Sequence, residues 1–260
     1  MLVVESERVR NIVRFDARHG GEHVGISQLA LLEQFSSNAI SIGAADPESF
    51  FVARLRGKVD GAQRVRLTTS TARSPRRELS ELLAAAHQKA LGRGGIRDES
   101  GVAARQTVIN ELRRLDLIEA TTLPLSTVLY LRLKSYESLS RDADKLSEIL
   151  GRAIDDGIVV GDRFASSVRG VVNRWLVESS PRPGTVLEAA IVAAASASGL
   201  VATDLLQKTG ANKSNVYRAI DELEAIGALA EVTGRKKDQL WLAPELVDAT
   251  RQAIRKAYKR

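Results

Sequence analysis

Seven consecutive residues, Asn212-Lys213-Ser214-Asn215-Val216-Tyr217-Arg218, concentrate the chemistry of this 260-residue chain. They open a helix predicted by Val216, Ala219, Ile220, Leu223 and Ile226, which recur at i, i+3, i+4, i+7 and i+10 and so make one apolar stripe. Asn212 suits the N-cap, where a side-chain oxygen accepts a backbone N–H that the first turn leaves unpaired. The amides and dipole of a helix N-terminus favour phosphate. The side chains there are types that read nucleic acid: Arg218 matches guanine, Asn215 matches adenine, and Lys213 is a backbone contact, with Ser214 and Tyr217 beside them.

The flanking elements must hold that helix in place. Val201 to Lys208 reads as a short helix stopped by Gly210, and Gly227 ends the helix that follows. Ala228 to Val232 and Leu240 to Leu242 read as two strands around Thr233-Gly234-Arg235-Lys236-Lys237-Asp238, a basic tip. Helix, turn, helix and basic hairpin together predict a winged helix-turn-helix. Its second helix would enter the major groove of double-stranded DNA, while Arg235, Lys236 and Lys237 follow the backbone or minor groove. The alternative is a winged helix used for protein contact, whose charges are an ordinary solvated face.

A similar spacing recurs earlier. In the helix predicted from Ala104 to Ile118, Val108, Leu112, Leu115 and Ile118 repeat the intervals of Val216, Ile220, Leu223 and Ile226, with Arg105, Gln106 and Thr107 at the entrance. Leu123-Pro124-Leu125 and Thr127 to Leu133 would be wing strands of a second, degenerate winged helix over about 75–135; a plain amphipathic helix is the alternative. Arg105 and Gln106 are its candidate DNA contacts.

The rest of the chain divides around these units. Residues 1–72 hold Val9 to Phe15, open to strand or helix, and a turn at His19-Gly20-Gly21-Glu22-His23 that reads as a solvated loop, since paired glycines disfavour the helix a metal site would need. Ser27 to Phe35 is predicted helical. Phe50 to Arg56 and Arg64 to Thr69 flank Asp60-Gly61 as a basic β-ribbon. Ser74-Pro75 reads as a helix start, with Leu79, Leu82, Leu83 and Ala86 inward and His87 at the surface or a boundary. Residues 136–180 carry two apolar stripes and read as bracing or dimerising helices. Pro181-Arg182-Pro183-Gly184 marks the boundary before the C-terminal module, 184–260. The fold class expected is mainly α with small β-hairpins, α+β.

Composition narrows the function. A net charge of +6 suits a polyanionic partner. The absence of cysteine excludes disulfides, thiolate zinc sites and cysteine nucleophiles. No phosphate-loop glycine spacing occurs, so no cofactor, metal or enzymatic activity is expected. The N-terminal residues do not read as a signal peptide, and the Ala-rich run at 186–197 is too short to span a bilayer. A cytoplasmic, nucleoid-associated protein with no membrane partner is expected.

Residues 185–250, above all Glu231-Val232-Thr233-Gly234-Arg235-Lys236, resemble the winged helix that closes many bacterial Fic-family proteins. A fainter likeness covers Ser36 to Ser41 and Asp46 to Ser49, similar to the Fic inhibitory-helix region, although Ser41 stands where that family has its glutamate. Fic adenylyltransferases carry a His-Pro-Phe, acidic residue, Gly-Asn-Gly-Arg loop, and nothing like it occurs here. The resemblance therefore implies a non-catalytic scaffold with a DNA-binding end. The function expected is a homodimeric bacterial transcriptional regulator. The rivals are a plasmid or phage replication or partition protein with tandem winged helices, a protein-interaction adaptor, and a diverged Fic-like nucleotidyl transferase.

Overall fold

Apolar residues at helical spacing dominate the sequence. The computed structural model, which describes residues 7–21, 23–41, 43, 78–234 and 239–258, is accordingly mainly helical with one small antiparallel sheet. Val9 to Phe15 belongs to α1 (Glu7–His19), which buries Ile12, Phe15 and His19 on one side. After the Gly20-Gly21 turn comes α2 (His23–Ser41), longer than the segment expected. The basic ribbon expected at 50–69 and the helix start at Ser74-Pro75 lie outside the described residues.

The chain resumes with α3 (Leu79–Leu91) packed on α4 (Glu99–Arg114). Asp98 caps α4 by accepting the amides of Ser100 and Gly101, and also takes that of Gly95, so the preceding loop is tied to the helix start. Two short helices, α5 (Leu125–Leu131) and α6 (Leu133–Leu139), lead into α7 (Ala143–Ser179). At 37 residues, α7 spans roughly 55 Å. Its buried side runs from Leu146 through Ile154 and Phe164 to Trp175, and α1, α2, α3 and α5 pack along it.

Here the middle of the chain departs from expectation. Thr127 to Leu133, expected as a wing strand, is helical, and Leu125, Val128 and Leu129 bury at i, i+3 and i+4. The described part of 75–135 contains no strand, so the second winged helix is not formed. Thr127, Val128 and Tyr130 are strand-favouring types; here burial on a helical stripe overrides them.

Ser180 turns the chain in the left-handed region, φ 44°, and Thr185 caps α8 (Val186–Ala197). Then follow β1 (Gly199–Val201), α9 (Ala202–Thr209), α10 (Lys213–Ala225), β2 (Ala230–Glu231), β3 (Leu240–Leu242) and α11 (Pro244–Tyr258). The strand order is β1-β3-β2, antiparallel throughout, with Trp241 opposite both Leu200 and Glu231. β1 was not foreseen, because three residues are too few to show an alternation. One apolar cluster runs from Ile12 to Ile254, and the C-terminal elements share it. No helix among the described residues is long and apolar enough to cross a membrane.

The crossing of α1 over α7 depends on Gly161, where an added Cβ would lie 2.7 Å from the Phe15 ring. Phe15 is fully buried and cannot swing away. Gly161→Ala is expected to destabilise the fold by about 1–3 kcal/mol through overpacking, read as a lowered midpoint in urea with an unchanged slope.

Candidate nucleic-acid interface

Gly210 stops α9 in the left-handed region, φ 64°, where a side chain would be strained, and the chain turns sharply into α10. Asn212 is the N-cap, its side chain accepting the Asn215 amide at 2.9 Å. Val216, Ala219, Ile220 and Leu223 are all buried. Spending that stripe on the core turns Lys213, Ser214, Tyr217 and Arg218 outward, and Asn215 stands half-buried between them. Arg218 donates to the Asn215 side-chain oxygen at 3.4 Å, so the two base-reading candidates share one patch.

Charge on this face is graded along the helix. The first turns carry Lys213 and Arg218, whereas Asp221 and Glu222 are exposed one turn later. A polyanion is attracted to the entrance of α10 and repelled from its second half. The patch is thus basic at the helix entrance and acidic one turn further on.

Tyr217 is 38% exposed and sets its ring edge-on against Trp241 of β3, with centroids 6.2 Å apart. Such a pair contributes about 0.5–1.5 kcal/mol beyond its buried area. It fixes α10 against the sheet while leaving the Tyr217 edge at the surface. At the base of the hairpin, Glu231 accepts the amides of Thr233 and Gly234, at 2.8 and 3.0 Å, and the Thr233 hydroxyl. The Thr233 hydroxyl leads the bonds that hold its carboxyl below the usual range. Arg235, Lys236 and Lys237 lie outside the described residues.

The two earlier candidates do not join this surface. Arg105 is 2% exposed and spends its guanidinium inside the chain, on the Ser37 hydroxyl and carbonyl, the Ser41 hydroxyl and the Ile96 carbonyl. It is corrected from a DNA contact to an internal clasp of α2 and α4, because it lies on the buried stripe with Ala104, Val108 and Leu112. Gln106 is half-buried and donates to Asn110.

Of the three histidines, all expected in a solvated loop or at a surface or boundary, His23 is exposed but His19 and His87 are interior. His19 is the last residue of α1, 3% exposed, with Nε2 2.8 Å from the Asp162 carboxylate. His87 is fully buried and pairs with the Tyr136 hydroxyl at 2.6 Å.

Around Arg105 lies a polar interior that no sequence motif announced. Glu33 accepts the Ser126 amide at 2.7 Å and the Ser126 hydroxyl, and the Ser36 and Thr127 hydroxyls meet at 2.8 Å. Burial pushes the Glu33 carboxyl up to about 7, against the opposing pull of Ser126 and Arg105. Burial and the Arg105 charge push His87 down to about 4. These bonds join α2 to α4 and α5, and α3 to α6.

No protein-family model matches the chain, and no curated protein matches it.

The two shifts act oppositely on stability. Because folding raises the Glu33 carboxyl from 4.5 to about 7, the unfolded chain releases that proton first, and this contribution is full below about 4.5 and lost as pH rises to about 7. For His87, lowered from 6.5 to about 4, the contribution is full above about 6.5 and lost as pH falls to about 4. Glu33→Gln is expected to remove the first decline and to leave the variant more stable than wild type at pH 8, by up to roughly 3 kcal/mol. Urea melts at pH 5 and pH 8 check it; parallel changes in both proteins would contradict the assignment.

Proposed function

We propose that residues 186–258 form a winged helix-turn-helix and that the chain binds double-stranded DNA with α10 in the major groove. The observation that carries this reading is the entrance of α10. There Lys213, Ser214, Tyr217 and Arg218 share one outward face, with half-buried Asn215 beside Arg218, while the apolar stripe behind them is consumed by the core. The connectivity supports it: helix, strand, two helices at a tight turn, then a hairpin whose second strand lies between the other two. The sequence of the hairpin tip, with three successive cations, and the net charge of +6 agree with a polyanionic partner.

In this reading Arg218 and Asn215 meet base edges, Tyr217 adds an aromatic contact, and Lys213 with the α10 amides holds phosphate. Asp221 and Glu222 keep the second half of the helix away from the backbone. The role that follows is a bacterial transcriptional regulator acting as a homodimer on a two-fold site, in keeping with the resemblance of the C-terminal residues to the DNA-binding end of Fic-family proteins.

Gel shifts with fragments of the DNA neighbouring its own gene, across a salt series with competitor, test it. One fragment is expected to be retained at salt that strips the competitor. Arg218→Ala is expected to lose about 1–3 kcal/mol against one base position and relax preference there, whereas Lys213→Ala weakens all sequences alike and flattens the salt slope by about 1. Release of every fragment together, or identical behaviour of the two variants, would overturn the reading.

A further inference from the structure

Side chains alternate along a strand, so Trp241 leaves β3 on one face and Leu240 and Leu242 on the other. Trp241 meets Tyr217 of α10. On the opposite face Leu242 clusters with Val247 of α11 and with Phe35 of α2, and Leu31, Val232 and Leu240 pack around them. The small sheet is thus held between α10 and a helix from the far end of the chain.

The same side of α2 grips the module a second time. Gln28 donates to the Ala195 carbonyl at the end of α8, at 2.5 Å, and accepts the Ser198 hydroxyl at 3.2 Å. Ser198 occupies the left-handed turn into β1, φ 57°, and its carbonyl accepts the Ala243 amide at the end of β3, at 2.9 Å. Gln28, Leu31 and Phe35 stand at i, i+3 and i+7, which places them on one helical face.

We propose that this face of α2 is a positioning surface for the DNA-binding module, setting the β2–β3 hairpin relative to α10; the proposal rests on the DNA-binding reading above. The sheet has three strands of three, two and three residues, too short a ladder to fix by itself the angle of the hairpin against α10. Val232, just after β2, donates to Leu240 at 3.0 Å and packs against the Phe35 cluster, so α2 and the base of the hairpin share one apolar cluster. Gln28 and Phe35 are 0% and 5% exposed and touch no nucleic acid themselves. They act through Val232, Leu240 and the α8 turn.

The test is binding of wild type, Phe35→Ala, Gln28→Ala and Phe35→Leu to random-sequence duplex DNA over a sodium chloride series, with stoichiometric titration of the active fraction. A misplaced hairpin neutralises fewer phosphates, and each phosphate lost flattens the logarithmic salt slope by about 0.9. Phe35→Ala and Gln28→Ala are expected to bind about tenfold more weakly at low salt with a shallower slope and an undiminished active fraction, and Phe35→Leu close to wild type. Weaker binding with an unchanged slope and a reduced active fraction would mean that α2 only stabilises the fold, and would overturn the proposal. If wild type binds no duplex, the DNA-binding reading fails and takes this inference with it. Normal binding by both Phe35→Ala and Gln28→Ala alongside a binding wild type defeats this inference alone.

Discussion

Burial of α2 on nearly every side is the constraint on which the remaining packing depends. Leu29, Leu32 and Ile40 enter the main core, and Phe35 enters the small cluster against the sheet. Gln28, Glu33, Ser36 and Ser37 are buried too. A helix surrounded in this way cannot send its polar groups to water, so each needs a partner within the chain. Gln28 finds two at the end of α8, Glu33 finds Ser126, Ser36 finds Thr127, and Ser37 finds Arg105. Those pairings fix the rotation of α2 and, with it, the relative placement of everything it touches.

Hydrophobic packing alone would not choose among rotations of a helix with leucines on several sides. A one-residue slip of α2 would strand the Glu33 carboxylate and the Arg105 guanidinium without their hydrogen bonds, and an uncompensated buried charge costs several kcal/mol. The raised Glu33 carboxyl and the lowered His87 imidazole express the same desolvation. Such an interior is weak evidence of added stability, since well-packed apolar residues of similar volume often hold a fold equally well.

What the sequence made legible follows from how locally each feature is encoded. The α10 stripe, the Asn212 cap and the Gly210 stop lie within a few residues of one another, and each is observed where it was expected. The polar interior depends on pairs as distant as Glu33 with Ser126 and Ser37 with Arg105, for which a single chain carries no local signal. Arg105 shows the limit most directly. An arginine near a predicted helix entrance reads as surface, and only the neighbouring turns of α2 convert it into a clasp. The α5 segment departs for a related reason: Thr127, Val128 and Tyr130 favour strand by composition, yet the helix is held by burial of Leu125, Val128 and Leu129 and by the Glu33 carboxylate at its first turn.

The segment Pro181-Arg182-Pro183-Gly184 has the composition of a hinge between domains, but the contacts on either side of it work against hinge motion. Glu245 at the start of α11 takes the Trp175 indole N–H at 2.8 Å and the Arg174 guanidinium, both from the last turns of α7. Gln28 ties the other side of the module to the N-terminal helices. Trp175 itself is 1% exposed, so swinging the module away would uncover a large aromatic surface as well as break these bonds. The linker residues permit the chain to turn, and the docking determines where the module stops. Under the reading proposed above, a winged helix carried in this way would present α10 at an angle fixed by the helical body. In a two-fold assembly the separation of the two reading heads would then follow from how the bodies pair, not from the reach of a flexible tether.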